Sequence, residues 1–204
     1  MKRLLSPTQF KLREKASVFL AELHPAGDAA TRSERLITLR KRDFDATHHC
    51  VAWREGLPIQ AWGSDDDGEP NGTAGAPMLR VLEGADLTDV LAVCIRWYGG
   101  TKLGTGGLVR AYTEALQGAL AEAAQADLLE EVRAMRRGRL ETEAALAHLP
   151  FAFLNAQPQA EVLEQGFEGA HSWVLFHIPV GEDSALEAAW RERSRGGLIH
   201  WESS

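Results

Sequence analysis

The stretch between Val90 and Tyr112 constrains the fold more than any other part of this sequence. Residues 90–95 form an unbroken apolar run, which predicts a β-strand that is buried on both faces. The densest run of glycines follows between residues 99 and 107, and a helical pattern begins at Leu108. This stretch therefore predicts a doubly covered strand that leads through a glycine-rich segment into a long helix.

The helix after the glycines is the strongest in the sequence. Its apolar residues recur at three- and four-residue spacing: they are Leu108, Ala111, Tyr112, Ala115, Leu116, Ala119, Leu120 and Ala123. The first backbone N–H groups of a helix have no partner inside the helix, so its start favours an anion.

The flanks of the glycine run are basic, and no acidic residue occurs between Val90 and Thr113. Exposed backbone beside positive charge predicts a surface that faces phosphate groups. The predicted phosphate or nucleic-acid contacts are Arg96, Lys102, Gly104, Thr105, Gly106, Gly107 and Arg110. The run matches neither a Walker A motif nor a dinucleotide fingerprint, since Val109 stands where the third glycine would be. The alternative is a tight strand-to-helix connection that needs positive φ angles.

The segment at residues 45–50 contains adjacent His48, His49 and Cys50. On a strand, His48 and Cys50 point to one side and His49 to the other. Because no third group is visible to orient a base, packing is favoured over nucleophilic catalysis.

An acidic block at residues 65–69 holds three aspartates and a glutamate. It fails the calcium-loop pattern, because Pro70 and Ala76 occupy the sixth and twelfth positions. Asp-Gly and Glu-Pro favour a turn, whereas carboxylates in unlike environments would support acid–base chemistry. The second candidate site combines both segments and comprises His48, His49, Asp66, Asp67, Glu69 and Thr73. No catalytic residue, metal or cofactor is predicted.

Charge divides the chain near residue 127. Residues 1–126 carry 15 Lys+Arg and 16 Asp+Glu, whereas residues 127–204 carry 7 and 13, a net charge of −6. We therefore predict two domains, 1–126 and 127–204. The first has expected strands at 17–23, 47–53 and 90–95, helical segments at 28–42, 78–83 and 108–123, and a loop at 63–77. The second has the order of a ferredoxin-like βαββαβ domain, with elements expected at 128–135, 139–149, 160–167, 172–179, 183–193 and 198–201.

The amino-terminal residues do not match the pattern of a signal peptide. Only two leucines follow the basic pair Lys2 and Arg3, which is too short for a signal-peptide core, and no apolar window is long enough for a membrane helix. We expect a cytoplasmic protein without membrane contact, monomeric or weakly oligomeric, whose Cys50 and Cys94 stay reduced. The net charge of −7 argues against a nucleic-acid-binding surface over the whole protein.

Three segments, at 45–50, at 66–75 and at 96–112, resemble the IMPACT/YigZ family in order and spacing. The chain departs from the family pattern by an extra aspartate after Ser64 and by Trp97, where tyrosine or phenylalanine is usual. The resemblance implies a two-domain α/β (α+β) protein, with a ribosomal-protein-S5-like N-terminal domain and a ferredoxin-like C-terminal domain, both similar to domains of the translocating elongation factor. It also implies translation regulation, since eukaryotic members compete for an activator of a starvation kinase.

The leading hypothesis is a translation-associated protein that binds RNA or the ribosome through the basic glycine-rich segment. One alternative is an enzyme that acts on a phosphate-bearing substrate with the acidic block. The other is a regulator that binds only protein partners. Convergence of Asp66, Asp67 and Glu69 with a histidine in a closed pocket would favour the enzyme.

Overall fold

The computed structural model describes residues 1–194 and 197–202. The chain divides into two compact units, Met1–Val132 and Arg133–Ser204. The first contains β1 (Lys2–Leu4), β2 (Thr8–Glu14), β3 (Ser17–Pro25), α1 (Ala29–Arg42), β4 (His48–Glu55), β5 (Ala61–Asp65), α2 (Gly75–Gly84), β6 (Leu87–Thr88), β7 (Val90–Trp97), α3 (Gly104–Gln125) and β8 (Leu129–Glu131). The second contains β9 (Met135–Glu143), a 3₁₀ turn (Ala144–Leu146), α4 (His148–Asn155), β10 (Glu161–Glu168), β11 (His171–Pro179), α5 (Asp183–Arg193) and β12 (Ile199–Trp201). The predicted mixed α/β fold is confirmed.

The first unit is built on a five-stranded sheet in the order β2-β3-β7-β4-β5. Strand β7 lies at its centre, as the apolar run predicts. Its residues Val90, Ala92 and Cys94 belong to the core that also contains α2 and α3 side chains. Leu91, Val93 and Ile95 pack on the opposite face with Leu39 of α1. Both faces of β7 are therefore covered, which explains its continuous hydrophobicity.

Helix α3 begins earlier than its apolar stripe predicts. It starts at Gly104, so Gly104, Thr105, Gly106 and Gly107 form its first turn and do not precede it. Glycine is a poor helix former, which is why the sequence pattern places the start at Leu108. The 63–77 loop is also shorter than expected, because β5 runs to Asp65 and α2 begins at Gly75.

The predicted strand at 128–135 is wrong in extent and placement. Residues Leu129–Glu131 form β8, which pairs with β1 in a separate three-stranded sheet, β6-β1-β8. Leu128 and Leu129 pack against the core of the first unit. The apolar character of this segment therefore reflects burial in the first unit.

The second unit has the βαββαβ order of a ferredoxin-like fold, with the sheet order β10-β11-β9-β12. The helix expected at 139–149 is wrong. Strand β9 extends to Glu143 and pairs along its length with β11, while Leu140 is fully buried. The alanines at 144, 145 and 147 follow the end of the strand and produce an apolar spacing that is typical of a helix, which explains the wrong prediction.

Among the described residues, the helices are all too short or too polar to span a membrane. Two free thiols, Cys50 and Cys94, are buried and lie opposite each other on β4 and β7.

The position of β8 leads to a test of where the first unit ends and of whether each unit folds alone. A fragment of residues 1–132 keeps β8, whereas a fragment of residues 1–126 loses β8 and the packing of Leu128 and Leu129. We expect the shorter fragment to be less stable by about 1–3 kcal/mol, the value of burying such side chains. Urea unfolding of both fragments measures the difference, and equal midpoints would contradict it. The fragment of residues 133–204 is expected to unfold cooperatively.

Candidate functional site

The first unit contains a cavity of about 420 Å³ where β4, β7, the turn after β5 and the start of α3 meet. This volume lies within the range of small-molecule sites, about 300–1,000 Å³. Its lining residues are Thr47, His48, Glu69, Pro70, Arg96, Tyr98, Lys102, Leu103, Gly104, Thr105 and Leu108.

The cavity brings together residues from both sequence-predicted sites. Arg96, Lys102, Gly104 and Thr105 of the predicted phosphate site line it, together with His48 and Glu69 of the second site. The remaining predicted residues are not part of the lining: these are Gly106, Gly107, Arg110, His49, Asp66, Asp67 and Thr73. The sequence separates the two groups, but strands β4 and β7 place His48 directly opposite Arg96.

Arg96 is not the free cation that its basic neighbourhood predicts. Its guanidinium is buried, and its Nη1 donates to Glu69 Oε1 at 2.5 Å. Its Nη2 donates to Ser17 Oγ at 3.2 Å. The stretch from Val90 to Thr113 lacks an acidic residue, yet the turn after β5 supplies one from elsewhere in the chain. The positive charge of Arg96 is therefore largely balanced inside the fold.

A chain of hydrogen bonds extends from this ion pair into the core. Tyr112 Oη of α3 donates to Glu69 Oε1 at 2.7 Å, and Cys50 Sγ lies 3.3 Å from the same hydroxyl. Burial raises the pKa of Tyr112 well above its usual range, so the hydroxyl stays protonated. Burial also raises the pKa of Cys50 to about 12, which makes the thiol a poor nucleophile at neutral pH.

Most of the acidic block forms a turn. Asp66 Oδ2 accepts from the backbone N of Gly72 at 2.7 Å, and its Oδ1 accepts from Ala74 and Gly75 at 2.9 and 2.8 Å. The last two N–H groups lie at the start of α2, whose N-cap residue is Ala74, so the Asp66 carboxylate satisfies donors there that an alanine side chain cannot. Burial alone would raise the pKa of Asp66, but these backbone donors outweigh it and hold the pKa below its ordinary value.

Asp67 and Thr73 are also held by structural contacts. The Asp67 carboxylate accepts from the backbone N of His49 at 2.6 Å and from Arg40 Nη2 at 2.7 Å. Thr73 Oγ1 donates to the Pro70 carbonyl at 2.6 Å. His49 is buried away from the cavity, and burial lowers the pKa of its imidazole. The aspartates therefore do not converge with a histidine in a closed pocket.

The opening of the cavity carries three features that suit a ligand with both an anionic group and an aromatic ring. Tyr98 is 43% exposed, and Lys102, four residues later in the chain, is exposed as well. The N-cap residue of α3, Leu103, makes no side-chain hydrogen bond to the helix start, and Gly104 has a φ of +75° that suits glycine. The histidine segment could have indicated Thr47 through its neighbour His48, whereas Leu108 belongs to the apolar stripe of α3 and Leu103 carries no signal in the sequence.

Among the residues that the structure describes, no group of three His, Cys, Asp or Glu side chains could hold a metal ion.

The ion pair predicts a large and non-additive effect on stability. Glu69→Ala leaves the buried Arg96 guanidinium without its carboxylate, which is expected to lower the free energy of unfolding by about 3–5 kcal/mol. The double variant Glu69→Leu with Arg96→Met removes both charges and should lose less than the sum of the two single variants. Urea unfolding of the parent protein, Glu69→Leu, Arg96→Met and the double variant measures this coupling. Purely additive losses would show that the pair is not energetically coupled.

The hydrogen bonds of the Asp66 carboxylate predict a pH-dependent contribution to the free energy of unfolding. Its folded pKa lies below the ordinary value of 3.8, so its stabilisation is present above that pH and is lost as the pH falls through the folded pKa. Asp66→Ala should cost about 0.5–2 kcal/mol near neutral pH, the range for losing a side chain that accepts from the N–H groups of a helix start. The difference from the parent protein should shrink as the pH falls below 3.8. Thermal unfolding across this range is the measurement, and a constant difference would contradict the assignment.

The family model of the Impact N-terminal domain matches residues 15–120. An IMPACT family member of Haemophilus influenzae is 38% identical over 164 residues, 79% of this chain and 76% of the relative. The IMPACT family member YigZ of Escherichia coli is 54% identical over 77 residues, 37% of this chain and 38% of that protein. A crystal structure of a hypothetical protein shares 29% identity and a TM-score of 0.64, covering 100% of this chain and 97% of its own. The chain therefore belongs to the IMPACT family.

Proposed function

We propose that this protein acts in the regulation of translation by binding unpaired RNA through the cavity of its first unit. The observation that carries the proposal is the shared rim of that cavity. An exposed aromatic ring (Tyr98), a free ammonium group (Lys102) and the uncapped start of α3 all border one opening. A nucleotide combines a flat base with a phosphate, and these groups match the rim.

The phosphate contact would come from Lys102 and the first turn of α3. Residues Gly104 and Thr105 line the cavity, and backbone N–H groups at a helix start attract anions. Glycine at 104 keeps a side chain away from this approach. Arg96 contributes less charge than its type suggests, because Glu69 neutralises it. The site is therefore suited to a single phosphate.

The base contact would come from Tyr98. Aromatic stacking binds unpaired bases with little sequence preference. The guanidinium of Arg96 lies 5.4 Å from the Tyr98 ring centroid, within the range of a cation–π contact. Trp97 instead packs with Val93 on the face of the sheet that Leu39 of α1 covers, and it is not among the lining residues of the cavity.

The link to translation rests on the family. Its eukaryotic members regulate translation, and this chain carries the family domain over residues 15–120. Unpaired segments of ribosomal RNA are the source of RNA that we propose. Residues 127–204 carry a net charge of −6. Because this charge repels phosphate groups, it supports an RNA contact through the first unit alone.

Two matched charge removals test the RNA site. Lys102→Ala should weaken binding of single-stranded oligouridylate at all lengths and reduce the salt dependence by about one phosphate contact. Arg110→Ala removes a charge that is also exposed but is not among the lining residues of the cavity, and it should leave that slope nearly unchanged. Fluorescence anisotropy at several salt concentrations measures both. Equal changes in RNA affinity and salt dependence for the two variants, or no change for either variant, would exclude the cavity as the RNA site.

Co-sedimentation with ribosomes and their separated subunits tests the biological target. The parent protein should sediment with ribosomes, and Lys102→Ala should dissociate at lower salt. Absence of co-sedimentation at every salt concentration would count against the ribosomal source.

An enzyme acting on a phosphate-bearing substrate is the second candidate, and one contact favours it. His48 Nε2 lies 3.9 Å from Glu69 Oε2 at the cavity wall. Product analysis after prolonged incubation with RNA separates the two functions, because a binding protein leaves the strand length and its end groups unchanged.

A further inference from the structure

The second unit contains a groove of about 420 Å³ between the start of α4, the end of β10 and the start of β11. Phe151 of α4 and Phe167 of β10 line it, together with Trp173 and Val174 of β11. Phe167 is 69% exposed and Phe151 is 39% exposed. Aromatic side chains that are exposed around one concave surface are typical of an interaction site. The groove is therefore a candidate contact for a partner.

The groove adjoins a free edge of the sheet. The order β10-β11-β9-β12 puts β10 at one edge, and among the described residues β10 pairs with β11 alone. The outer side of an edge strand presents backbone N–H and C=O groups that another extended segment can bind as a further strand. Gln165 and Phe167 of β10 line the groove. A segment added at this edge would therefore lie beside the groove.

The register of β10 and β11 divides the side chains of β10 between two faces. Residues directly opposite each other in an antiparallel pair share a face. The residues on the face that α4 and α5 cover are Val162, Gln165 and Phe167, which pair with the buried Phe176, Val174 and Ser172. The residues on the other face are Glu161, Glu164 and Glu168, which pair with His177, Leu175 and His171. The edge strand therefore combines a mainly apolar face with an acidic face.

The charge of the acidic face is only partly balanced. Glu168 lies 3.2 Å from Arg139, whereas Glu161 and Glu164 are exposed and form no ion pair within the described parts of the chain. Opposite charges on facing residues of two strands stabilise the pair, and like charges destabilise it. A strand beside β10 is therefore favoured when it presents lysine or arginine to these glutamates. A second copy of β10 is disfavoured, because it would present glutamates.

We propose that β10 and the adjoining groove bind an extended segment of a partner protein in which apolar and basic residues alternate. Successive side chains of a strand point to opposite faces. The apolar residues would contact Phe151 and Phe167 at the groove, and the basic residues would face Glu161 and Glu164. The proposal gives the acidic second unit a role of its own and does not depend on RNA binding by the first unit.

Two peptides of identical composition test the alternation on the full-length protein. In one heptapeptide, lysine alternates with valine, leucine and phenylalanine; in the other, all the lysines form one block. Both carry the same charge, so general attraction to an acidic protein affects them equally. The alternating peptide should bind about tenfold more tightly, as measured by fluorescence anisotropy. Equal affinities of the two peptides would overturn the proposal.

N-methylation of the alternating peptide tests the backbone pairing. Only every second N–H group of an added strand points towards β10. One copy is methylated on its lysine nitrogens of the backbone and the other on those of its apolar residues. One copy should lose binding and the other should keep it within about threefold of the parent peptide. Equal affinities of the two copies, whether both bind or neither does, would overturn strand addition.

Exposed residues of the second unit assign the contact to this edge. Phe167→Ser and Glu164→Lys should each weaken the alternating peptide by about five- to tenfold. Glu192→Lys is the matched control, because it makes the same charge change at an exposed position of α5 and should leave the affinity nearly unchanged. Circular dichroism establishes that the variants are folded. Equal weakening by Glu164→Lys and Glu192→Lys would show charge attraction without a site and would overturn the proposal.

Other occupants of this edge give different results. A parent protein that dimerises in sedimentation experiments, and becomes monomeric in Phe167→Ser, would assign the edge to a second copy of this chain. Weaker binding of oligouridylate by Phe167→Ser would assign it to RNA. Either result would overturn the proposed protein partner.

Discussion

The buried ion pair between Arg96 and Glu69 is the contact on which the candidate site depends. It joins the end of the central strand β7 to the turn between β5 and α2, and Tyr112 extends it to α3. Taking two charges out of water is favourable only where geometry and further hydrogen bonds compensate. Ser17 and Tyr112 provide those bonds. The pair therefore links three of the elements that surround the cavity: β7, the turn after β5 and α3.

The turn that carries Glu69 is held independently of the pair. Asp66 accepts three backbone N–H groups across the turn, and Asp67 connects it to β4 and to Arg40 of α1. Two neighbouring aspartates thus fix the turn, and the glutamate that follows enters the core. One acidic motif divides into structural and cavity-lining residues because successive positions of a tight turn point in different directions.

Hydrophobic patterns in the sequence predicted those strands and helices whose residues are buried along a single element. The apolar run of β7 and the stripe of α3 reflect burial along one element, so both were recognisable from the sequence. The helix predicted at 139–149 failed because the alanines after β9 imitate a helical period, whereas pairing with β11 decides the conformation of Leu140. The start of α3 was misplaced because glycine has low helix propensity even where the tertiary structure holds it in a helix.

The candidate site was predictable in its residue types but not in its electrostatics. The glycine-rich segment and the histidine segment are each recognisable motifs, yet only the antiparallel register of β4 and β7 brings His48 opposite Arg96. The neutralisation of Arg96 was beyond sequence reasoning, because Glu69 lies far from it along the chain. Charge counted over a sequence window says little about charge available at a surface when the fold can pair it internally.

For the RNA-binding function that we propose, this neutralisation limits the part that charge can play. Proteins that track a strand electrostatically contact many phosphates and depend steeply on salt. Among the described residues that line the cavity, Lys102 supplies an ammonium group and Gly104 begins α3, while residues 127–204 carry a net charge of −6. Such a distribution does not favour holding a long backbone by charge. Under the proposal, affinity would come mainly from stacking on Tyr98 and from one phosphate contact, so it would depend only weakly on salt.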